Sequence, residues 1–292
     1  MSSNQITPSV RSHGLRGPLV MPFANLTHLS FPEMVEATRL AGFDGLSLRA
    51  HDALVILESG LTLADARSMA ADAGIAIVRL DPLSAWTAMV SSDNTNLDIT
   101  PLRFFQLCQA LGCSYVSLNA TFPTGHLPVE QVIEDFAKTC DLAGEFGVIC
   151  DLENLPMWGV RTLNDAWDIV RQADRLNGGL VFDILHFVRG GSTLSDLEAI
   201  PGDRIHTVQL NDGPLALPAG VSLLENCFDR LWPGEGEFPI TDVLRVLARI
   251  DGLAQVNPEV FSPANKDLRP SEVASISRRS LRDALARADI GI

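Results

Sequence analysis

One short pattern recurs along this chain: an amphipathic helical stretch ends, a glycine follows, and a brief apolar run begins. It occurs at Gly42-Phe43-Asp44-Gly45-Leu46-Ser47-Leu48, at Gly74-Ile75-Ala76-Ile77-Val78 and at Gly112-Cys113-Ser114-Tyr115-Val116-Ser117-Leu118. It returns at Gly147-Val148-Ile149-Cys150 and Gly179-Leu180-Val181-Phe182, and more loosely at Gly202 to Val208 and Gly252 to Val256. Glycine just past a helix adopts the left-handed conformation that ends the helix and turns the chain. Continuous apolar runs of about five residues suit strands buried on both faces, as in a parallel sheet. Helix-start signals stand where the pattern needs them, at Pro32, Thr62, Pro128, Thr162 and Thr193.

Seven such junctions, with a first strand at Leu19-Val20-Met21-Pro22, make eight strands alternating with helices. Eight βα units favour a closed α/β architecture, a single (β/α)8 TIM barrel, over an open sheet with an inserted helical piece. No stretch rich in Pro, Gly or Ser divides the chain. The expected layout is a flexible segment over residues 1–16 and one barrel domain over 17–292, with a last amphipathic helix from about Ser271 to Asp289 on the outside. In such a barrel, function sits at the C-terminal ends of the strands and in the loops that follow them.

Composition narrows the partners. The chain of 292 residues is 46% hydrophobic and 20% charged, enough to bury a large core. A net charge of −14 repels phosphate backbones, which argues against nucleic acid. Five cysteines, an odd number with no CxxC spacing, imply buried thiols in a reducing compartment; the expected location is cytoplasmic. The polar stretch Met1 to Gly17 does not read as a secretory signal, and no apolar run is long enough to span a bilayer.

Four successive strand ends carry oxygen-bearing side chains. Strand five ends Asp151-Leu152-Glu153-Asn154, strand six Asp183-Ile184-Leu185-His186, strand seven Gln209-Leu210-Asn211-Asp212, and strand eight Asn257-Pro258-Glu259. Three carboxylates converging in an apolar barrel repel one another, a conflict that a bound divalent cation resolves. Glu153, Asp183, Gln209 and Glu259 would then form an all-oxygen shell, favouring a hard ion such as Mn²⁺ or Mg²⁺. On spacing alone, the four are equally consistent with separate polar caps at strand ends.

The motifs Leu152-Glu153-Asn154, Asp183-x-x-His186, Arg230-x-x-Pro233-Gly234-Glu235-Gly236 and Pro258-Glu259-Val260 resemble, in order, those of the sugar phosphate isomerase/epimerase family with the xylose isomerase-like barrel. The resemblance covers nearly the whole chain. It implies one divalent metal held by Glu153, Asp183, the strand-seven residue and Glu259, with His186 and Arg230 facing the substrate. It also implies that Glu153 and Glu259 carry out the proton transfers. The chain departs from the family at Gln209, where a metal-binding His is usual. A similar Gln occurs in members resembling 3-dehydroshikimate dehydratase, and an amide oxygen still suits a hard cation. His206, an odd offset from Gln209, is expected on the opposite face of its strand.

These parts support enolate chemistry on a small polyhydroxy carbonyl compound. A metal beside a carbonyl lowers the cost of removing the α-proton, and a carboxylate removes it. Return of the proton elsewhere makes an isomerase or epimerase of a sugar or keto-polyol, the first reading. Departure of a β-hydroxyl makes a dehydratase (lyase) on a 3-dehydroshikimate- or inosose-type compound, the alternative toward which Gln209 leans. A non-catalytic metal-binding barrel subunit stays open as a third. A DNA-repair endonuclease on this fold would need more histidines and a basic groove. Further substrate contacts are expected from Arg49 and His51 after strand two, Asp81 after strand three and Asn119 after strand four, with Trp86 walling the pocket. His13, His28 and His126 read as terminal or loop residues. The stretch from Gly213 to Asp229 is long enough to form a lid. The two lysines, Lys138 and Lys266, fall on no predicted strand, which argues against a Schiff-base aldolase. The exposed loops and the last helix leave a homodimer open.

Overall fold

A computed structural model of the chain describes residues 14–88 and 99–291. Residues 1–13 of the expected N-terminal segment, His13 among them, lie outside the described residues. Eight strands form one parallel sheet in sequence order: β1 (Val20–Met21), β2 (Gly45–Leu48), β3 (Ala76–Leu83), β4 (Tyr115–Asn119), β5 (Ile149–Glu153), β6 (Gly178–Asp183), β7 (Ile205–Leu210) and β8 (Val256–Pro258). Leu19, just before β1, pairs in parallel with Val256 of β8 and brings the last strand back to the first. Helices connect the strands, giving the expected (β/α)8 barrel.

The local signals act as read. Gly42 ends the helix Phe31–Ala41 at φ 68°, donating its N–H to the carbonyls of Thr38 and Arg39. Thr62 caps the helix Leu63–Asp72: its hydroxyl accepts the Asp65 N–H, and the Asp65 carboxylate accepts the Thr62 N–H. Thr162 and Thr193 cap their helices by the same reciprocal pair. The last helix, Pro270–Arg287, packs along the helix Phe31–Ala41 on the outside of the barrel. Leu46, Leu80, Val116, Leu152, Leu180 and Val208 from the strands share one buried core with Phe104, Phe105, Phe136 and Leu281 from the helices. All five cysteines are free and buried.

The barrel interior is not apolar throughout. Arg79 of β3 reaches across it, donating from NH1 to Asp151 Oδ2 of β5 at 2.9 Å and to Thr207 Oγ1 of β7 at 2.6 Å. Its Nε donates to Asp81 Oδ2 at 3.1 Å, and Asp81 Oδ1 accepts the Ser117 N–H at 2.7 Å. Burial works against the Arg79 charge, but Asp81 and Asp151 outweigh it and raise the guanidinium pKa.

His206 does not obey the alternation expected of it. The register between β6 and β7 shifts between Leu180 opposite Ile205 and Val181 opposite Thr207, which leaves His206 as an extra residue on β7. Such a bulge reverses the alternation upstream of it. The ring therefore turns toward the interior, over Gly179, where a Cβ would collide with it. His206 Nδ1 lies 2.6 Å from Asp151 Oδ1. Burial opposes protonation of His206, but the hydrogen bond and charge of Asp151 prevail, and its pKa is raised above the ordinary 6.5.

Because the folded-state pKa of His206 is raised, its stabilising contribution is fully present below the unfolded value and is lost as pH rises through the folded one. The unfolding free energies of wild type and His206→Gln, from urea titrations between about pH 5 and pH 9, should therefore differ most at the acid end and converge above neutrality. A difference independent of pH would mean the pair is not ionic. Asp151→Asn, which leaves Arg79 short of a buried counter-charge, should cost about 3–5 kcal/mol.

Candidate active site

Strand pairing sets the site. Asn119 is level with Glu153 across β4 and β5, and Asp183 is level with Gln209 across β6 and β7. Glu259 follows β8, its N–H bonded to the Leu210 carbonyl at 2.8 Å. The carboxylates of Glu153 and Asp183 and the ring of His186 come within 4.8 Å of one another, and all three residues are buried. They are the group of His, Cys, Asp and Glu with metal-holding geometry among the described residues.

Each side chain is held differently. Asp183 caps the short helix Ile184–Arg189: its Oδ1 accepts the Leu185 N–H at 2.7 Å and Asn211 Nδ2 at 3.0 Å. Its Oδ2 accepts Arg230 NH1 at 2.8 Å, and the same nitrogen donates to Glu259 Oε2 at 3.0 Å. Gln209 Nε2 donates to Glu259 Oε1 at 2.8 Å. Both oxygens of Glu259 are thus engaged. Glu153 accepts no hydrogen bond among the described residues, and His186 Nε2 lies 3.6 Å from its Oε1. Arg230 is itself fixed by donating from Nε to the Cys227 carbonyl at 2.8 Å.

The electrostatics follow from burial. Burial, then the charges of Glu259 and Asp183, hold the Glu153 carboxyl well above the usual carboxylate range. Burial pushes Glu259 up to about 8 against the pull of Arg230. For Asp183, burial is outweighed by Arg230, His186 and the two hydrogen bonds to Oδ1, and its pKa is lowered. Burial pushes His186 down to about 4, so its imidazole is neutral at physiological pH. Arg230 keeps its proton because Asp183 and Glu259 outweigh the cost of burial.

This donor set fits a divalent cation. Three carboxylates share one buried mouth, and Gln209 Oε1 beside them is buried without a hydrogen-bond partner. A hard cation takes such oxygens and would hold both glutamates in their ionised form.

The pocket around the cluster has a volume of about 350 Å³. Its lining includes Glu153, His186, Gln209, Arg230 and Glu259, together with the aromatic rings of Phe23, Trp158, Phe228 and Phe261. Arg49 and Asn119 reach it as expected, and so does Asp81, which lies inside β3 rather than after it. Two expectations need correction. His51 is exposed on the helix Ala50–Glu58 and does not line the pocket; Arg49 at the N-cap takes the inward place. Trp86 is not a pocket wall but stands behind β4, its Nε1 bonded to the Asn119 carbonyl at 3.0 Å and its ring edge-on to Phe136. The stretch from Gly213 to Asp229 contributes Leu224, Cys227 and Phe228 to the pocket.

Asn211 went unread. It stands two residues from Gln209 on the same strand face, so alternation alone would have placed it at the site. Asp212 accepts the N–H groups of Gly234 and Phe238, each at 2.9 Å, and so ties the Pro233-Gly234-Glu235-Gly236 segment to the end of β7.

The comparisons with known proteins agree with the fold. A family model described as a xylose isomerase-like TIM barrel matches residues 35–284. The chain is 30% identical over 257 residues to a 3-dehydroshikimate dehydratase of Pseudomonas putida, a match covering 86% of this chain and 39% of that protein. It is 29% identical over 188 residues to an inosose isomerase of Bacillus licheniformis, covering 62% of this chain and 66% of the relative. The chain thus spans less than two-fifths of the length of the dehydratases it matches. Among solved structures, a xylose isomerase-like TIM barrel/4-hydroxyphenylpyruvate dioxygenase fusion protein superposes with a TM-score of 0.82 at 27% identity, over 94% of this chain and 43% of that one.

Arg230→Met takes the guanidinium away from two buried carboxylates. In chelator the variant should unfold with about 3–5 kcal/mol less stability than wild type, and added Mn²⁺ should recover part of the loss. A variant as stable as wild type would show that Arg230 does not compensate Asp183 and Glu259.

Proposed function

Since the chain belongs to the xylose isomerase-like TIM barrel family, we propose that it is a divalent-metal-dependent lyase. Its substrate is a small cyclic polyhydroxy ketone of the 3-dehydroshikimate class, from which it removes water. The observation that carries this reading is an asymmetry between two glutamates: Glu259 is tied through both oxygens to Gln209 and Arg230, whereas Glu153 accepts no hydrogen bond among the described residues. Proton transfer at two opposite faces, as epimerisation requires, needs two available bases. Elimination at one face needs one.

Glu153, Asp183, Gln209 and Glu259 would hold the cation, and their oxygen donors suit Mn²⁺ or Mg²⁺. Such a cation supplies Lewis-acid polarisation of the substrate carbonyl, which acidifies the adjacent C–H. Glu153, which accepts no hydrogen bond among the described residues, takes the proton from the carbon next to the carbonyl. The C–H electron pair forms the new C=C bond as the β-hydroxyl departs. The proton held by Glu153 passes to that hydroxyl, which leaves as water. His186 stays neutral and available as a hydrogen-bond donor to a substrate oxygen. Arg230 keeps Asp183 and Glu259 in place at the pocket wall. The clustered rings of Phe23, Phe228 and Phe261, which line the pocket, suit the C–H face of a carbocycle.

The isomerase reading uses the same first step and returns the proton to another carbon; the inosose isomerase relative supports it. Metal-loaded protein separates the readings. With 3-dehydroshikimate, the lyase gives an aromatic ultraviolet absorption, and Glu153→Gln lowers the rate by about 10²–10⁴-fold. Elemental analysis should find about one Mn²⁺ per chain, lost on combining Asp183→Asn with Gln209→Ala. Solvent deuterium entering inosose without loss of water would favour the isomerase. Metal-loaded protein that does neither would favour a non-catalytic barrel.

A further inference from the structure

The pocket has a second polar edge, on the β4 side, that the chemistry above leaves unused. Asn119, the last residue of β4, and Thr121, two residues on, both line the pocket. Thr121 is buried, and its hydroxyl oxygen has no hydrogen-bond partner. The buried Oδ1 of Asn119 has none either. Buried polar atoms are ordinarily paired, and an unpaired one costs about 1–3 kcal/mol. Two of them in the wall of one pocket mark where a bound molecule completes the set.

The backbone carrying them is braced from behind. The Asn119 carbonyl accepts Trp86 Nε1 and the Thr121 N–H, both at 3.0 Å, and the Ala120 carbonyl accepts the Gly159 N–H at 3.3 Å. Gly159 lies against the Phe122 ring, leaving no room for a Cβ. Trp86 in turn is wedged against Phe136. A site held this way from a second layer keeps its polar groups aimed before anything binds.

An amide and a hydroxyl, both uncharged and each able to donate and accept, match hydroxyl groups rather than an anion. Beside them, Leu155, Met157 and Trp158 give an apolar surface for ring carbons. The geometry points to a diol subsite: Asn119 and Thr121 bind two neighbouring hydroxyls of the substrate ring, and Trp86 is the positioning residue behind them. This rests on the reading of the substrate as a polyhydroxy ring. The pair then decides which ring carbon faces Glu153.

The test uses the Mn²⁺-loaded full chain and two readouts: turnover of 3-dehydroshikimate, and binding of the unreactive ring polyol myo-inositol followed by tryptophan fluorescence. Thr121→Val and Asn119→Leu should each weaken myo-inositol binding and raise KM by about tenfold, as loss of one or two neutral hydrogen bonds does. Metal content should stay unchanged, and kcat should fall much less. Thr121→Ser, which keeps the hydroxyl, should behave as wild type, and Trp86→Phe should show a weaker form of the same KM effect. Variants that match wild type in both readouts overturn the subsite. Wild type that binds myo-inositol in a Thr121-dependent way but does not turn over 3-dehydroshikimate supports the subsite and sinks the proposed reaction. Wild type that does neither overturns both.

Discussion

Carboxylates inside a barrel have to be matched by positive charge, and that constraint organises this molecule from floor to mouth. Moving an ion out of water costs several kcal/mol even after relaxation. Two buried arginines meet the cost. Arg79 spans the lower interior between Asp81 and Asp151, and Arg230 bridges Asp183 and Glu259 at the mouth. Glu153 forms an ion pair with neither arginine, and burial with the charges of Glu259 and Asp183 raises its pKa; Glu259 is raised as well, against the pull of Arg230. The arginines therefore do more than stabilise: they fix which acidic groups are tied in ion pairs and leave Glu153 outside them.

The barrel was legible in the sequence because its signals are local. A left-handed glycine at a helix end, a threonine with an acidic residue three positions on, and an apolar run each act within a few residues. Strand boundaries were less so. β3 continues through Asp81 and Pro82 to Leu83, and β8 shrinks to Val256–Pro258, since pairing with neighbours rather than hydropathy decides where a strand stops. The polar interior was not legible at all. Arg79 sits in a run that reads as apolar, and its partners come from strands 72 and 128 residues away. His206 shows the same limit in reverse: alternation put it outside, and a bulge that only the β6–β7 pairing reveals turned it inward.

At the candidate site, the strand-end carboxylates, Gln209, His186 and Arg230 were readable because they close strands or stand in short motifs. The structure brings them together: Glu153, His186, Gln209, Arg230 and Glu259 line one pocket, and Asp183 stands beside it, paired with Arg230. His51 and Trp86 were misplaced for a common reason. Both follow a strand end closely enough to suggest the mouth, but a helix N-cap at Arg49 and a loop folding behind β4 carry their side chains away. What sequence could not supply is the hydrogen-bond pattern. Nothing in the order of residues says that Glu259 is tied and Glu153 is not.

That pattern links the fold to a choice of chemistry. The same four strand ends, with Gln209 bonded elsewhere and Arg230 swung away, would present two equivalent glutamates to a substrate and suit proton exchange at either face. Here the Gln209 amide and the Arg230 guanidinium engage Glu259, and Arg230 is held by the Cys227 carbonyl in the segment between β7 and β8. The identity of the strand-seven residue thus matters twice. Its free oxygen suits a hard cation, and its Nε2 donates to the neighbouring Glu259. On the proposed reading, the amide of Gln209 is what makes the two glutamates unequal, because its Nε2 engages Glu259 and leaves Glu153 untouched.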